Sequence, residues 1–131
     1  MKNYTIPIHI RFFDIDLNNH VNNAVYFTYM ETARTELFMA DFIEYRNRGI
    51  TFVVAEAFCK YRRPIRLHDT VICELQVELT GMLHFTITYL FKDAETGTLY
   101  AEGTTKMVMV DEQTNQPIRI PAEFIDRQIH P

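Results

Sequence analysis

The sequence predicts an α+β fold in which one long helix packs on a curved, five-stranded antiparallel sheet. Three observations predict it. One long stretch has helical periodicity, five stretches are strand-like, and short turns join the last three strands. Each alternating strand has one strongly apolar face, and the single helix is available to cover it. The 131 residues suffice for one domain with a substantial core, so we expect a single domain over residues 1–131.

The N-terminal part of the chain is predicted to run from a strand through a polar loop into the helix. Apolar residues alternate over Thr5–Phe12, as in a half-buried strand. The loop Asp14–Asn23 is rich in Asp and Asn, which favour turns and helix caps. Apolar residues then recur at helical steps, at Tyr26, Tyr29, Met30, Ala33, Leu37 and Ala40. The helix is expected to begin at Ala24, to continue with a kink to Arg48 and to stop at Gly49.

Four more strands are predicted over Thr51–Arg62, Thr70–Leu79, Leu83–Phe91 and Leu99–Val110. The last three are connected by hairpins and are therefore antiparallel. In the final strand the apolar face is expected to change side towards Val108 and Val110, which predicts a bulge. The long strand Thr51–Arg62 is a candidate for pairing with a second copy of the chain, which would close an open sheet edge. One helical turn is expected over Ala122–Arg127.

Composition excludes several classes of function. The net charge of −4 argues against nucleic acid as a partner, because phosphate binding usually requires a basic surface. The N-terminus has no apolar signal-peptide core and no apolar run is long enough to span a bilayer, so a cytoplasmic protein is expected. The chain has no serine, which rules out a Ser-His-Asp mechanism. Scattered glycines and only two cysteines, both expected to be reduced, predict no dinucleotide cofactor, disulfide or metal site.

The residues with chemical potential concentrate in Arg11–Arg34, which combines acids, amides, a histidine and aromatic residues. Asp14 and Asp16 lie two residues apart, so in an extended strand they face opposite sides and do not form a carboxylate pair. A carboxylate at the helix start is stabilised there, and free N–H groups at that position can bind a substrate carbonyl. The same spacing is typical of a capping turn, and an isolated His20 is more often structural.

A second candidate is the one basic cluster of the chain, Lys60, Arg62, Arg63 and Arg66. Arginine and lysine side chains suit phosphate groups, so this cluster is compatible with a phosphorylated ligand. Such a cluster is more often simply a solvated strand end.

The stretch after Arg11 resembles the signature of hotdog-fold acyl-CoA thioesterases of the 4-hydroxybenzoyl-CoA thioesterase-like family, in particular the bacterial acyl-CoA branch. The matching residues are Asp16, His20, Val21, Asn22, Asn23, Tyr26, Tyr29, Glu31, Ala33 and Arg34, and further on Tyr61, Pro64 and Asp69. The predicted order of strands agrees as well, so the resemblance covers essentially the whole chain. Many members of the branch have a glycine before the histidine, where this chain has Asn19.

The resemblance implies hydrolysis of an acyl-CoA thioester without a cofactor. Asp16 would be the nucleophile or the general base, with Asp14 as the alternative carboxylate, and N–H groups around Asn22 and Asn23 would polarise the thioester carbonyl. His20 would orient the site. The acyl pocket would be lined by Tyr26, Tyr29 and Met30, and the charges of Lys60, Arg62 and Arg63 make them candidates for the coenzyme A phosphates. The family's site lies between two subunits, which implies a homo-oligomer, either a dimer or a homotetramer.

Two other functions remain open from the residues alone. Asp16 and His20 are the acid and histidine that a hydratase or dehydratase of acyl thioesters on the same fold would need. A module that binds an acyl thioester without catalysis is the other alternative.

Overall fold

The computed structural model describes residues 3–130. Its strands are β1 (Asn3–Ile8), β2 (Ile50–Tyr61), β3 (Val71–Leu79), β4 (His84–Asp93), β5 (Leu99–Asp111) and β6 (Gln116–Pro117), and its α-helices are α1 (Val25–Asn47) and α2 (Ala122–Gln128). All strand pairs are antiparallel, in the order β1-β3-β4-β5-β2, and β6 pairs with the far end of β5. The predicted α+β architecture, a long helix packed on a curved antiparallel sheet, is therefore confirmed.

The long helix α1 begins and ends within one residue of the predicted limits. Its backbone leaves helical geometry at Phe38 (φ −108°, ψ 15°), which is the predicted kink. Gly49 has a positive φ of 76°, a conformation that residues with a Cβ rarely adopt, and this ends the helix. The apolar face of α1 is fully buried at Met30, Ala33 and Phe38.

The core lies between α1 and the inner face of the sheet, where alternate residues of three strands are buried. These residues are Val71, Cys73, Leu75 and Val77 of β3, Phe85, Ile87, Tyr89 and Phe91 of β4, and Ala101, Thr105, Met107 and Met109 of β5. Gly103 belongs to the same inner row of β5. A Cβ on Gly103 would lie 2.2 Å from the Met30 Cε atom, so the missing side chain lets the Met30 methyl group sit against the sheet.

The sequence-based boundaries are wrong in the first strand, which ends at Ile8 and not at Phe12. A 3-10 turn over Phe12–Asp14 follows it, because the Asp14 N–H donates to the Arg11 carbonyl (3.0 Å) and the Asp14 carboxylate accepts the Arg11 N–H (3.0 Å). The sheet also has a sixth, two-residue strand, and the expected turn near the C-terminus is the two-turn helix α2.

The predicted change of face in the last strand is also wrong. In β5 the buried positions alternate without interruption from Ala101 to Met109, so Val108 and Val110 stay on the outer face. The irregularity belongs to the neighbouring strand, where the pairing register with β5 shifts between Val54 and Glu56 of β2. One extra residue in β2 accounts for the shift without disturbing β5.

No helix within residues 3–130 is both long enough and apolar enough to cross a membrane.

Candidate active site

A cleft of about 340 Å³ lies between the polar loop, the start of α1 and the segment after β2. It is lined by Asp16, Asn18, His20, Val21, Asn23, Tyr26, Tyr61, Arg62, Arg63 and Pro64. Residues far apart in the sequence meet here because Val21 donates its N–H to the carbonyl of Ile65 (2.8 Å). Six residues that the sequence predicted for the site line this cleft, namely Asp16, His20, Asn23, Tyr26, Arg62 and Arg63.

The loop that carries Asp16 and His20 is a tight turn. The Asp16 N–H donates to the His20 carbonyl (2.9 Å), and the Asn19 N–H donates to the Asp16 carbonyl (3.0 Å). Asn19 has a positive φ of 66°, which asparagine tolerates better than most residues. An isolated antiparallel bridge joins Ile15 to Val21 across the base of the turn. The turn thus places Asp16 and His20 on the same cleft.

The Asp16 carboxylate is half-buried, and one of its oxygens is free. Oδ1 accepts the N–H of Asn18 (2.9 Å), which is the turn-type bond that Asp forms with the residue two positions on. Oδ2 accepts no hydrogen bond from residues 3–130. A carboxylate oriented through one oxygen, with the other open to the cleft, is suited to act on a bound molecule.

Asp14 is buried, with 1% of its surface exposed, and both of its oxygens are occupied. Oδ2 accepts the hydroxyl of Tyr29 (2.6 Å) and the N–H of Arg11 (3.0 Å), and Oδ1 accepts the guanidinium of Arg11 (2.9 and 3.1 Å). Burial acts to raise the pKa of Asp14, but the hydrogen bonds from Arg11 and Tyr29 outweigh it and hold that pKa below its ordinary value. The two acids thus face opposite sides, as the sequence predicted, and Asp14 does not line the cleft.

The start of α1 leaves N–H groups without acceptors. Asn22 is committed to structure: its N–H donates to the Asp14 carbonyl (2.8 Å) and its Oδ1 accepts the Ala24 N–H (2.9 Å). Within the described part of the chain, the N–H groups of Asn23 and Tyr26 donate to no acceptor. The predicted role of the Asn22 N–H in polarising a carbonyl is therefore wrong, and Asn23 is the donor that remains.

Two residues predicted for the acyl pocket lie outside this cleft. Tyr29 is buried and donates its hydroxyl to Asp14; burial and this bond raise the pKa of Tyr29 well above its usual range, so it stays a donor. Met30 is fully buried and lines a second groove of about 270 Å³ between α1 and β2. That groove is lined by Phe27, Thr28, Met30, Glu31, Arg34, Val54, Ala57 and Thr105.

Tyr61 is a cleft residue to which the sequence assigned no role. Its hydroxyl donates to the carbonyl of Asn23 (2.7 Å), and its ring meets the edge of the Tyr26 ring with 4.9 Å between centroids. Burial raises the pKa of the Tyr26 hydroxyl to about 12, so this aromatic wall is uncharged. Strand alternation could have indicated that Tyr61 faces the cleft, because it places Tyr61 on the same, inner face of β2 as Cys59.

The three predicted phosphate-binding residues differ in their surroundings. Arg62 lines the cleft but pairs with Glu102 of β5, through bonds of 2.9 and 2.6 Å to one carboxylate oxygen. Lys60 lies outside the cleft on the outer face of the sheet, opposite Glu102. Arg63 lines the cleft, is exposed, and forms no ion pair with any residue in the range 3–130. Among these three, Arg63 is the one that both lines the cleft and has no ion pair within residues 3–130.

Residues 3–130 contain no group of three or more His, Cys, Asp or Glu side chains arranged to hold a metal ion.

Comparisons with known proteins give the family. The model of the thioesterase-like superfamily matches residues 10–128. The long-chain acyl-CoA thioesterase FadM of Escherichia coli is 29% identical over 124 residues, which cover 92% of each chain. A Thermus thermophilus thioesterase, solved in complex with coenzyme A and zinc, is 31% identical with a TM-score of 0.79, covering 94% of this chain and 89% of that one. The DHNA-CoA thioesterase of Staphylococcus aureus has the same fold, with a TM-score of 0.84 at 24% identity, covering 96% and 86%.

The family model spans nearly the whole chain, including the polar loop, the cleft and both α-helices. This confirms the hotdog fold and, at the level of the family, the class of enzyme that the sequence predicted. The chain belongs to the thioesterase-like superfamily.

Proposed function

We propose that this protein hydrolyses an acyl-CoA thioester to a free acid and coenzyme A. The observation that carries the proposal is the pairing of two groups in one cleft: the Asp16 carboxylate with a free oxygen and the Asn23 N–H without an acceptor. Hydrolysis of a thioester needs a base or nucleophile on one side of the carbonyl and a hydrogen-bond donor for its oxygen. The CoA thioesterase FadM and the coenzyme A complex of the Thermus relative support this class of substrate.

The reaction follows from these two groups. Asp16 takes a proton from water while the water oxygen bonds to the carbonyl carbon, and the charge that develops on the carbonyl oxygen is stabilised by the Asn23 N–H. The positive end of the α1 dipole adds to that stabilisation. The carbon–sulfur bond then breaks, and the coenzyme A thiolate leaves with the proton that Asp16 holds. Alternatively, Asp16 attacks the carbonyl carbon itself, the carbon–sulfur bond breaks to release the coenzyme A thiolate, and water then hydrolyses the mixed anhydride to the free acid and the Asp16 carboxylate.

The remaining cleft residues position the substrate. His20 lies beside Asp16 at the mouth of the turn, and Tyr26 and Tyr61 form an aromatic wall for the group next to the thioester. Arg63 is placed to bind a phosphate of coenzyme A, and Arg62 contributes less because Glu102 already neutralises it. Lys60 would act only as a distant charge.

The change of Asp16 to Asn tests the assignment. The amide has nearly the same shape, so folding and binding of coenzyme A should persist. We expect kcat for acyl-CoA hydrolysis to fall by about 100- to 10,000-fold. The exposed Asp126 offers a matched control, because Asp126→Asn removes the same charge far from the cleft. Activity of the Asp16 variant within a few-fold of the original protein would show that Asp16 is not the catalytic carboxylate.

The same assay separates the alternatives. Release of free thiol from saturated acyl-CoA measures hydrolysis, and loss of the conjugated double bond of an enoyl-CoA measures hydration. Hydration without hydrolysis would favour a hydratase that uses Asp16 and His20. Binding of acyl-CoA with neither reaction would favour a non-catalytic module.

We further propose that the protein is a homo-oligomer of hotdog domains. The exposed edge of β2 supports this, because within residues 3–130 β2 pairs with β5 alone and exposes Val53 (41%), Val54 (36%) and Phe58 (59%). A long apolar edge of this kind is normally paired or covered. Sedimentation should give a mass of at least twice the 15.5 kDa of one chain, and a monomer at micromolar concentration would contradict the proposal.

A further inference from the structure

Asp14 lies behind the cleft and is connected to both halves of the proposed catalytic apparatus. It precedes Asp16 by two residues, and its backbone carbonyl accepts the Asn22 N–H (2.8 Å), immediately before Asn23. The groups proposed to act on the thioester from its two sides are therefore both fixed relative to this one residue.

The side chain of Asp14 ties this assembly to the long helix. Its carboxylate accepts the hydroxyl of Tyr29, which lies in the second turn of α1 and is 3% exposed. Arg11 closes the other side with two bonds from its guanidinium and one from its N–H. A buried carboxylate is costly unless such partners satisfy it, so its position is well determined.

We propose that Asp14, held by Tyr29 and Arg11, is a positioning residue that sets the distance between the Asp16 carboxylate and the Asn23 N–H. The inference rests on the proposed thioester hydrolysis. Asp14 does not line the cleft and touches no substrate there, so it acts only through the loop and the helix start. Loss of the Tyr29 bond frees the loop to shift relative to α1. A misplacement of about 1 Å between reacting groups can lower a rate by about 100-fold.

The change of Tyr29 to Phe removes one hydroxyl and keeps the buried ring. We expect kcat for acyl-CoA hydrolysis to fall by about tenfold or more, with KM within about twofold of the original, because ground-state binding in the cleft is retained. The matched control is Tyr45→Phe. Tyr45 is also fully buried on α1 and also donates to a carboxylate, that of Glu123 (3.3 Å), but it lies roughly 24 Å further along the helix. Its kcat should not change.

A second variant covers the case in which Tyr29→Phe fails to fold. Arg11 has 58% of its side chain exposed, so Arg11→Met removes both guanidinium bonds to Asp14 without opening the core. It should lower kcat in the same direction, again with little change in KM. Neither variant should weaken binding of free coenzyme A.

Amide hydrogen exchange gives a result that does not depend on activity. The Asn22 N–H should exchange faster in Tyr29→Phe than in the original protein or in Tyr45→Phe, because its acceptor is the Asp14 carbonyl. If the original protein hydrolyses no acyl-CoA, the proposed function fails, and exchange alone still decides the positioning role. Unchanged kcat with unchanged Asn22 exchange in the variants would overturn the proposal, as would an equal loss of kcat in Tyr45→Phe.

Discussion

The two ends of helix α1 use polar groups in opposite ways. At the N-terminal end, the Asn23 and Tyr26 N–H groups and one oxygen of Asp16 have no partner among residues 3–130. At the C-terminal end, beyond the kink at Phe38, the buried carboxylate of Asp41 accepts bonds from both Arg127 and Gln128 of α2. Arg48 likewise binds Glu44 (2.6 Å) and Glu123 (3.2 Å).

The aromatic residues differ in the same way. Around the C-terminal end the rings of Phe38, Phe42, Phe52, Phe85 and Phe124 pack against one another, and Tyr45 joins them with its hydroxyl bonded to Glu123. Around the N-terminal end the cluster consists of Tyr26, Tyr29, Tyr61 and Phe91, and each tyrosine presents a polar group beside the cleft or the loop. Tyrosine combines apolar packing with a hydrogen bond, which suits the border of a site.

The contrast between the two ends of α1 indicates that one end contributes mainly to stability and the other to the proposed reaction. The first N–H groups of a helix have no acceptor within the helix, so at the N-terminal end the Asn23 N–H and the open Asp16 oxygen are available to a ligand. One end of α1 fastens α2 and closes the core. At the other end the Asp14 carboxylate is bonded to Arg11 and to Tyr29 of α1, whereas one oxygen of Asp16 and the Asn23 N–H have no partner among residues 3–130.

The largest effect expected at the closed end is on stability. Asp41→Ala leaves the Gln128 amide without its acceptor and removes the main partner of Arg127, so unfolding should cost about 2–3 kcal/mol less. Because this end lies far from the cleft, kcat and KM of the folded protein should not change. Urea unfolding measures the first quantity and a steady-state assay the second.

Asp126 supplies the control for that experiment. It is an exposed acid of the same helix α2, and its carboxylate lies 3.9 Å from the exposed His130 ring, so Asp126→Ala should alter stability by less than about 0.5 kcal/mol. If fully folded Asp41→Ala lost much of its activity, the two ends of α1 would not be functionally independent.

Local sequence signals predicted the framework of the closed end and much of the open one. Helical periodicity and Gly49 gave the limits of α1, and strand alternation gave β3 and β4. From the loop motif we expected Asp16, His20 and Asn23 at one site, and all three line the same cleft. These features depend on residues close together in the chain, where spacing decides the structure.

What the sequence did not predict depends on contacts between distant residues. Tyr29 has helical spacing with Tyr26 and was expected in the acyl pocket, but its partner Asp14 lies 15 residues away across the loop. The register of β2 on β5 directs Lys60 outwards and brings Arg62 to Glu102. No local sequence pattern reveals that register. The bulge in β2 likewise could not be distinguished from a change of face in β5.

The smallest predicted effect is a change in KM on removal of one charge, and it compares an arginine at the open end with one at the closed end. Arg63 at the open end and Arg46 at the closed end are both exposed arginines. Arg63→Ala should raise KM for acyl-CoA by about fivefold, since one phosphate contact is lost, and should weaken the dependence of KM on salt. Arg46→Ala removes the same net charge and should leave KM unchanged. An acyl thioester of N-acetylcysteamine lacks the phosphates of coenzyme A, so its KM should be equal in both variants. If Arg63→Ala raised that KM as well, Arg63 would be shaping the cleft, and phosphate binding would have to be assigned to other residues.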